Sequence, residues 1–546
     1  MDNYFRGSES DAAKILEEHF KEEELEGRML PLSSKEAARH YPGSNLRIAA
    51  QGILDKPDGG HRIIHDGTHG VQLDNEIKIL DRLENPGPRE LSTIMRASVE
   101  AKEKVIFSIN ADIAKAHRRV KVREQDWGVQ ACRTSKSSPI VWLNRVGTFG
   151  VASAAYWWSR LMALVGRHAL NILGTAWLFV LIFVDDLHLA SGGQDRWSNI
   201  WRFLLALEMV GTPFSYKKFR GGFSTDYVGY WMDYGRFEIG LSERRTAWLV
   251  SFIDTLEASR WMIQVRRFHE FHGRLGFTSQ VLPWLKPLLS PGYAWIAAVG
   301  RNSTLRVPDM VALICIFIRS KFRAGLRKIP CARPEVYKGE LFRTDAKCAD
   351  GAVTLGGWLL GKSGNPKEAP WFCLKILPHQ APWLFKGKEM SSSWSSASSE
   401  LLASLVALKA FKIGQAADAS GSSHLLRCGG GTGNKATGLL VQKRLSTRWP
   451  LMIILMDYLN CCEEFGIRCE LDWRPRETNV EADEITYENF TSFDPKRRIF
   501  LEWENISLPM VELLMSPSEA FAKRKHETEV EGAVIDQTKF QKTTWG

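Results

Sequence analysis

Two carboxylates, Asp185 and Asp186, stand side by side at the end of an apolar run from Trp177 to Val184, and a second alternating run, Leu187 to Ala190, follows them. Such flanks predict a β-hairpin carrying carboxylates at its tip. An Asp-Asp pair is usually a solvated turn, but these flanks are too apolar for a casual surface loop. A third carboxylate, Asp112, ends another apolar run that begins at Val105. Phosphoryl transfer by two divalent metals needs carboxylates that converge from separate strands, because the ions, roughly 3.5–4 Å apart, clamp both the attacking and the leaving oxygens. Mg²⁺ is a hard cation that takes oxygen ligands and leaves positions for water and substrate phosphates. Asp112 and Asp185 meeting across adjacent strands would supply such a site.

Other residues suit the same chemistry. In Lys56-Pro57-Asp58-Gly59-Gly60-His61-Arg62 the two glycines allow a sharp hairpin turn. Arg62 can fork onto phosphate oxygens, whereas Lys56 acts as a point charge. Gly150 would let the backbone approach a template or nucleotide closely. A second acidic set lies further on. Glu340 to Ala346 reads as a strand presenting Asp345, with Gly356 to Leu360 as its neighbour. Glu400 opens a helix whose Leu401, Leu405 and Leu408 share a face, with Ser398 or Ser399 as N-cap. Asp483 lies at an expected helix start after Trp473-Arg474-Pro475-Arg476.

Two other patterns do not carry chemistry. Gly429 to Lys435 lacks the Gly-Lys-Ser/Thr succession of a phosphate loop, because Asn434 and Ala436 break it. His61, His65 and His69 recur every four residues, but intervening glycines interrupt any helix that would align them as zinc ligands.

The elements that must position these groups change along the chain. Residues 1–44 form a charged extension. Residues 45–240 alternate short β-like and helical runs, an α+β pattern. Residues 241–338 turn helical and basic, with Arg266, Arg267, His269 and Arg274, and Pro330 and Pro334 mark a linker. Residues 339–501 make a second α/β unit, and 502–546 read as a solvated tail. A chain of 546 residues exceeds one ordinary core. Its net charge of +10 suits a polyanionic partner, although many basic proteins bind no nucleic acid. The nine cysteines include no C-x-x-C pair, which argues against a zinc ribbon and fits a reducing, intracellular compartment. The N-terminus lacks the apolar core of a signal peptide, and the longest apolar stretch, Leu173 to Val184, is too short to span a membrane.

In this order the motifs resemble those of reverse transcriptases from long-terminal-repeat and tyrosine-recombinase-type retroelements. Lys56 to Arg62 with Asp66 is similar to their fingers motif, and Asp112 to His117 to their first catalytic motif. Thr148-Phe149-Gly150-Val151 resembles the motif that holds template and nucleotide, and Phe183 to Asp186 the aromatic-x-Asp-Asp box. Lys217-Lys218-Phe219 and Tyr227 to Tyr230 resemble the lysine motif and primer grip. The resemblance implies a right-hand palm, fingers and thumb polymerase domain followed by an RNase H-like domain. It implies catalytic Asp112, Asp185 and Asp186 holding two Mg²⁺ or Mn²⁺ ions. Nucleotide and template contacts would come from Lys56, Arg62, His117, Phe149, Gly150, Lys217 and Lys218. The partners would be an RNA or DNA template with primer, and deoxynucleoside triphosphates.

Asp345, Glu400 and Asp483 match three of the four RNase H carboxylates. The fourth position reads Thr432-Gly433-Asn434, and glycine cannot ligate a metal through a side chain. Impaired nuclease activity is expected, with Asp350 or Glu481 as partial substitutes. A decayed or co-opted retroelement protein that binds nucleic acid without catalysis is the competing reading.

His117 occupies the position where the family carries a Tyr or Phe beneath the sugar. An imidazole is smaller and can hydrogen-bond, so discrimination against ribonucleotides should be weak. In single-nucleotide incorporation, His117→Tyr should sharpen it; equal rejection of ribonucleotides by native and variant enzyme would refute this.

Overall fold

The computed structural model describes residues 8–56, 59–102, 105–174, 177–331, 335–361, 363–385, 395–414 and 425–515. Pro57 and Asp58 of the glycine turn, Pro334 and residues 516–546 of the tail lie outside them. The chain divides into two compact units, Met1–Ile239 and Gly240–Gly546.

The first unit is organised by an antiparallel four-stranded sheet, in the order Arg220–Gly222, Ile106–Asp112, Asp186–Gly192, Leu178–Phe183. Alternation gives the central Asp186–Gly192 strand two different faces. Leu187 and Leu189 pack with Trp158, Met162, Ile200, Phe203 and Leu207 from the helices Ala152–Leu173 and Arg196–Met209. His188, on the other face, is buried in a polar layer, 2.7 Å from Asn110 Oδ1 and 2.6 Å from the Tyr234 hydroxyl. Burial pushes its pKa down to about 3, so it stays neutral.

The Gln51–Asp55 and His61–His65 strands form the expected hairpin, with Gly59 at φ +83° in its turn. A second sheet joins Met29–Ser33, Ile140–Asn144, Ala131–Cys132 and Ile48–Ala49. Its first strand comes from the segment expected to be an extension. That segment is structural: Ser8 caps the helix Glu9–Leu25 in a capping box with Asp11. Leu16 and Phe20 from this helix are buried beside Trp142, with 5.5 Å between the Phe20 and Trp142 rings. Ile15 and Ala12 pack against the same cluster, so a charge-rich segment hides a narrow apolar face.

The second unit begins with the helices Glu243–Ala258, Val265–Thr278, Ser290–Ala298 and Asp309–Arg323. Arg266 and Arg267 pair with Glu270, and Arg274 lies 4.1 Å over the Trp248 ring. A five-stranded sheet follows, in the order Trp371–Ile376, Ala352–Leu359, Glu335–Ala349, Leu425–Thr432, Ile467–Trp473. The first three strands pair antiparallel, and the last two join in parallel. The Glu335–Ala349 strand runs through the boundary expected at residue 338. The helix expected to open at Glu400 spans Ser396–Ala410, so Ser398 and Ser399 lie inside it, buried, rather than capping it. Part of the expected tail is also docked: the Asp457 carboxylate accepts bonds from Met510 and Val511 backbone N–H at 2.8 and 3.0 Å, capping the helix Pro509–Met515.

Removing a buried Phe from a packed core costs about 3–5 kcal/mol. Phe20→Ala should lower the stability of the first unit by that order in urea denaturation. A change within about 0.5 kcal/mol, as expected of an exposed residue, would show that the N-terminal helix is an appendage.

Candidate active site

Three carboxylates come together at one end of the first unit's sheet. Cross-strand register sets Asp112 directly opposite Asp186, so the two project from the same face. Asp185 occupies the two-residue turn with Val184, between the paired Phe183 and Asp186. Val184 has φ +55°, a left-handed conformation unfavourable for a β-branched residue. Such strain, of order 1–3 kcal/mol, persists where the surroundings fix it. Here the Trp158 indole donates to the Val184 carbonyl at 2.7 Å, and the Ile113 N–H donates to the Asp185 carbonyl at 2.9 Å. The turn is pinned by a helix on one side and by the Asp112 strand's continuation on the other.

The electrostatics follow from crowding. Asp186 has its pKa raised to about 6, by partial desolvation first and then by the charges of Asp185 and Asp112. Lys218 opposes this. Its ammonium sits 2.9 Å from both oxygens of Asp112. Among the described residues no three His, Cys, Asp or Glu side chains form a ready-made metal site. Even so, the donor set fits a hard cation: hard oxygen donors crowded enough to raise one pKa, and one of them already holding a positive group.

A cavity of about 680 Å³ opens beside these carboxylates. Its lining includes Asp112, Asp185, Lys56, Arg62, His117, Phe149 and Lys218. Arg62 lies 5.4 Å over the Phe149 ring, a contact that orients the guanidinium. The His117 ring packs 5.7 Å from Phe149, and burial lowers its pKa. Its Nδ1 is buried without a partner.

Three residues named from the sequence do not line the cavity. Lys217 is exposed and outside the cavity lining, whereas its neighbour Lys218 reaches Asp112. Asp186 is also absent from the lining. Gly150, at φ +107°, makes its close approach to protein: a Cβ there would lie 2.0 Å from the His65 carbonyl oxygen. It lets the Phe149 loop cross the His61–His65 strand, which it joins through the His65 N–H to Phe149 carbonyl bond of 2.9 Å. Sequence reasoning missed Lys115, Arg118 and Glu23, which also line the cavity. Lys115 and Arg118 follow Asp112 closely enough to have been found; nothing local marks Glu23.

The second unit gathers Asp345, Glu400 and Gly433, with Asp483 adjacent. Glu400 Oε2 accepts from the Thr432 hydroxyl at 3.0 Å and the Gly433 N–H at 3.3 Å. Burial, followed by the Asp345 charge, pushes the Glu400 carboxyl well above its usual range. The Asp345 carboxyl is raised too, by burial and by Asp483. Asp483 is held by Arg476 Nε at 3.1 Å. A Cβ at Gly433 would meet Asp345 Oδ1 at 2.5 Å and Glu400 Oε1 at 2.8 Å, so the room for a fourth carboxylate has closed. Asp350 sits at an exposed hairpin end near Lys347, and Glu481 is half-buried with no described hydrogen bond to the cluster. Asp345, Glu400 and Asp483 thus stand together without a fourth carboxylate, with an exposed arginine on the third.

No protein-family model matches the chain, and no curated protein does. Among solved structures it is similar to a foamy viral protease-reverse transcriptase in complex with double-stranded DNA, at 12% identity and TM-score 0.45, over 84% of this chain and 82% of that one. It is also similar to the foamy viral protease-reverse transcriptase dRH in complex with double-stranded DNA, at 12% identity and TM-score 0.46, over 86% of this chain and 71% of that one. No helix among the described residues is long and apolar enough to cross a membrane.

The raised Asp186 pKa has a consequence for stability. Between its ordinary value of 3.8 and about 6 the folded chain binds more protons than the unfolded one, so this group's contribution to stability falls as pH rises through that window. Asp186→Asn, which mimics the protonated acid, should stabilise the protein more at pH 7.5 than at pH 4.5. An equal gap between the denaturation midpoints of variant and native protein at both pH values would refute the shift.

Proposed function

We propose that the chain is an RNA-directed DNA polymerase, a reverse transcriptase of retroelement origin, with an RNase H-like domain that no longer cuts. Residues 45–240 would be fingers and palm, and 241–338 thumb and connection. Residues 339–501 would be the RNase H-like domain. The observation that carries the polymerase reading is the single cavity shared by Asp112, Asp185, Lys56, Arg62, His117, Phe149 and Lys218. Carboxylates, a forked cation and an aromatic wall are what a nucleoside triphosphate requires.

In this reading a primer 3′-hydroxyl oxygen attacks the α-phosphorus of a deoxynucleoside triphosphate. A new P–O bond forms and the bond to the leaving pyrophosphate breaks. Asp112 and Asp185, supported by Asp186, would hold two Mg²⁺ or Mn²⁺ ions, which supply charge neutralisation at the attacking and leaving oxygens. Lys56 and Arg62 would neutralise the triphosphate, and His117 with Phe149 would bound the sugar. Arg266, Arg267 and Arg274 would follow the backbone of an RNA or DNA template–primer without reading its sequence. The competing reading, a co-opted nucleic-acid-binding protein, is favoured by one observation: Gly433 supplies no carboxylate to the cluster of Asp345, Glu400 and Asp483.

Primer extension on an RNA template with Mg²⁺ and deoxynucleotides tests this. Native protein should extend the primer, Asp185→Asn should lose extension by orders of magnitude, and the RNA strand of the product hybrid should keep its length. Folded native protein that binds the hybrid but does not extend it would support the co-opted binder instead.

A further inference from the structure

The cavity has a wall the polymerase motifs do not explain. His19, Phe20 and Glu23 of the helix Glu9–Leu25 line it. Glu23 is 1% exposed and bound by three cations: Arg28 at 2.7 and 2.9 Å, Arg118 Nε at 2.8 Å and Lys115 Nζ at 3.1 Å. An unpaired carboxylate so deeply buried would be strongly destabilising. Desolvation pushes the Glu23 pKa upward, but these cations outweigh it and hold the group ionised far below the usual carboxylate range.

The cations differ in their freedom. Arg118 is committed, with Nη1 donating also to Asn144 Oδ1 at 2.6 Å. Arg28 is enclosed with Glu23 and also pairs with Glu26. Lys115 has a side chain 40% exposed, and its other bond, 2.9 Å, goes to Glu26, itself 47% exposed. An ion pair that open contributes little, so a polyphosphate can compete for the ammonium. Lys115 also stands at φ +54°, three residues after Asp112. A left-handed conformation in a residue with a side chain persists where its surroundings fix it.

We propose that Lys115 is a triphosphate-binding residue of this cavity and that Glu23, from the N-terminal helix, is the positioning residue that aims it. The proposal rests on the polymerase reading and adds to it Glu23, a residue from outside the polymerase motifs. When a nucleotide enters, the ammonium exchanges the exposed Glu26 carboxylate for a phosphate oxygen, while Glu23 keeps hold of the turn that carries Lys115, His117 and Arg118.

The test is single-nucleotide incorporation by the full chain on a defined primer–template, with deoxynucleotide binding measured separately on a chain-terminated primer. Lys115→Gln and Glu23→Gln should each raise KM and the dissociation constant for the triphosphate by roughly tenfold, with kcat within about twofold, the pattern of lost substrate binding. The double variant should be no worse than the worse single one, because both act on one contact. Unchanged KM in Lys115→Gln, or additive losses with a falling kcat, would overturn the proposal. If Glu23→Gln does not fold, Glu23→Asp keeps the charge but shortens the reach, and should raise KM in the same way. Native protein that neither binds deoxynucleotide nor incorporates it would overturn the polymerase reading as well. Native enzyme that incorporates with a KM indifferent to Lys115 would overturn this proposal alone.

Discussion

The antiparallel pairing of Ile106–Asp112 with Asp186–Gly192 is the constraint on which the first unit's site depends. It sets two aspartates opposite each other, an arrangement that like charges oppose. The repulsion is met in two ways: one carboxyl is raised to about 6, and a lysine ammonium is seated on the other. The apolar faces of the same strands pack against Trp158, Leu204 and Leu207. Burial of that face fixes the register, because a slip by one residue would turn Leu187 and Leu189 out of the core. The hydrophobic core therefore holds the carboxylates in a geometry that their own charges would not choose.

A second buried electrostatic device lies around Glu23. It ties the N-terminal helix, the turn after Asp112 and the Ile140–Asn144 strand through Arg28, Arg118 and Asn144. Breaking such a network exposes uncompensated buried charge, so it specifies one arrangement even if its net stabilisation is small. The cavity is thereby built from the N-terminal segment as well as from the β-hairpins.

The acidic cluster of the second unit meets the same crowding with one carboxylate fewer. Asp345, Glu400 and Asp483 converge from a strand and two helices, burial and mutual charge raise the first two carboxyls, and Arg476 sits on Asp483. Glycine at position 433 lets the two carboxyls close into the space a side chain would fill. In both units burial and like charge raise a carboxyl while a cation is seated on a neighbouring aspartate.

Much of this was legible in the residues. Apolar runs ending in Asp112 and in Val184 marked the strands and the hairpin, because a strand's side-chain period is local. Gly59 marked its turn. Tertiary structure decided the rest, because sequence spacing carries no information about pairing partners. It set Asp186, rather than Asp185, opposite Asp112. It chose Lys218 over Lys217 as the cation on Asp112. It used Gly150 to pass the His65 carbonyl, a contact between segments 85 residues apart in sequence. It also drew residues 9–33, which read as a charged extension, into the core and the cavity wall. Glu23 sits among Glu22, Glu24 and Glu26 and is indistinguishable from them by type. Only the fold buries that one carboxylate among three cations, and burial is what gives its charge a task.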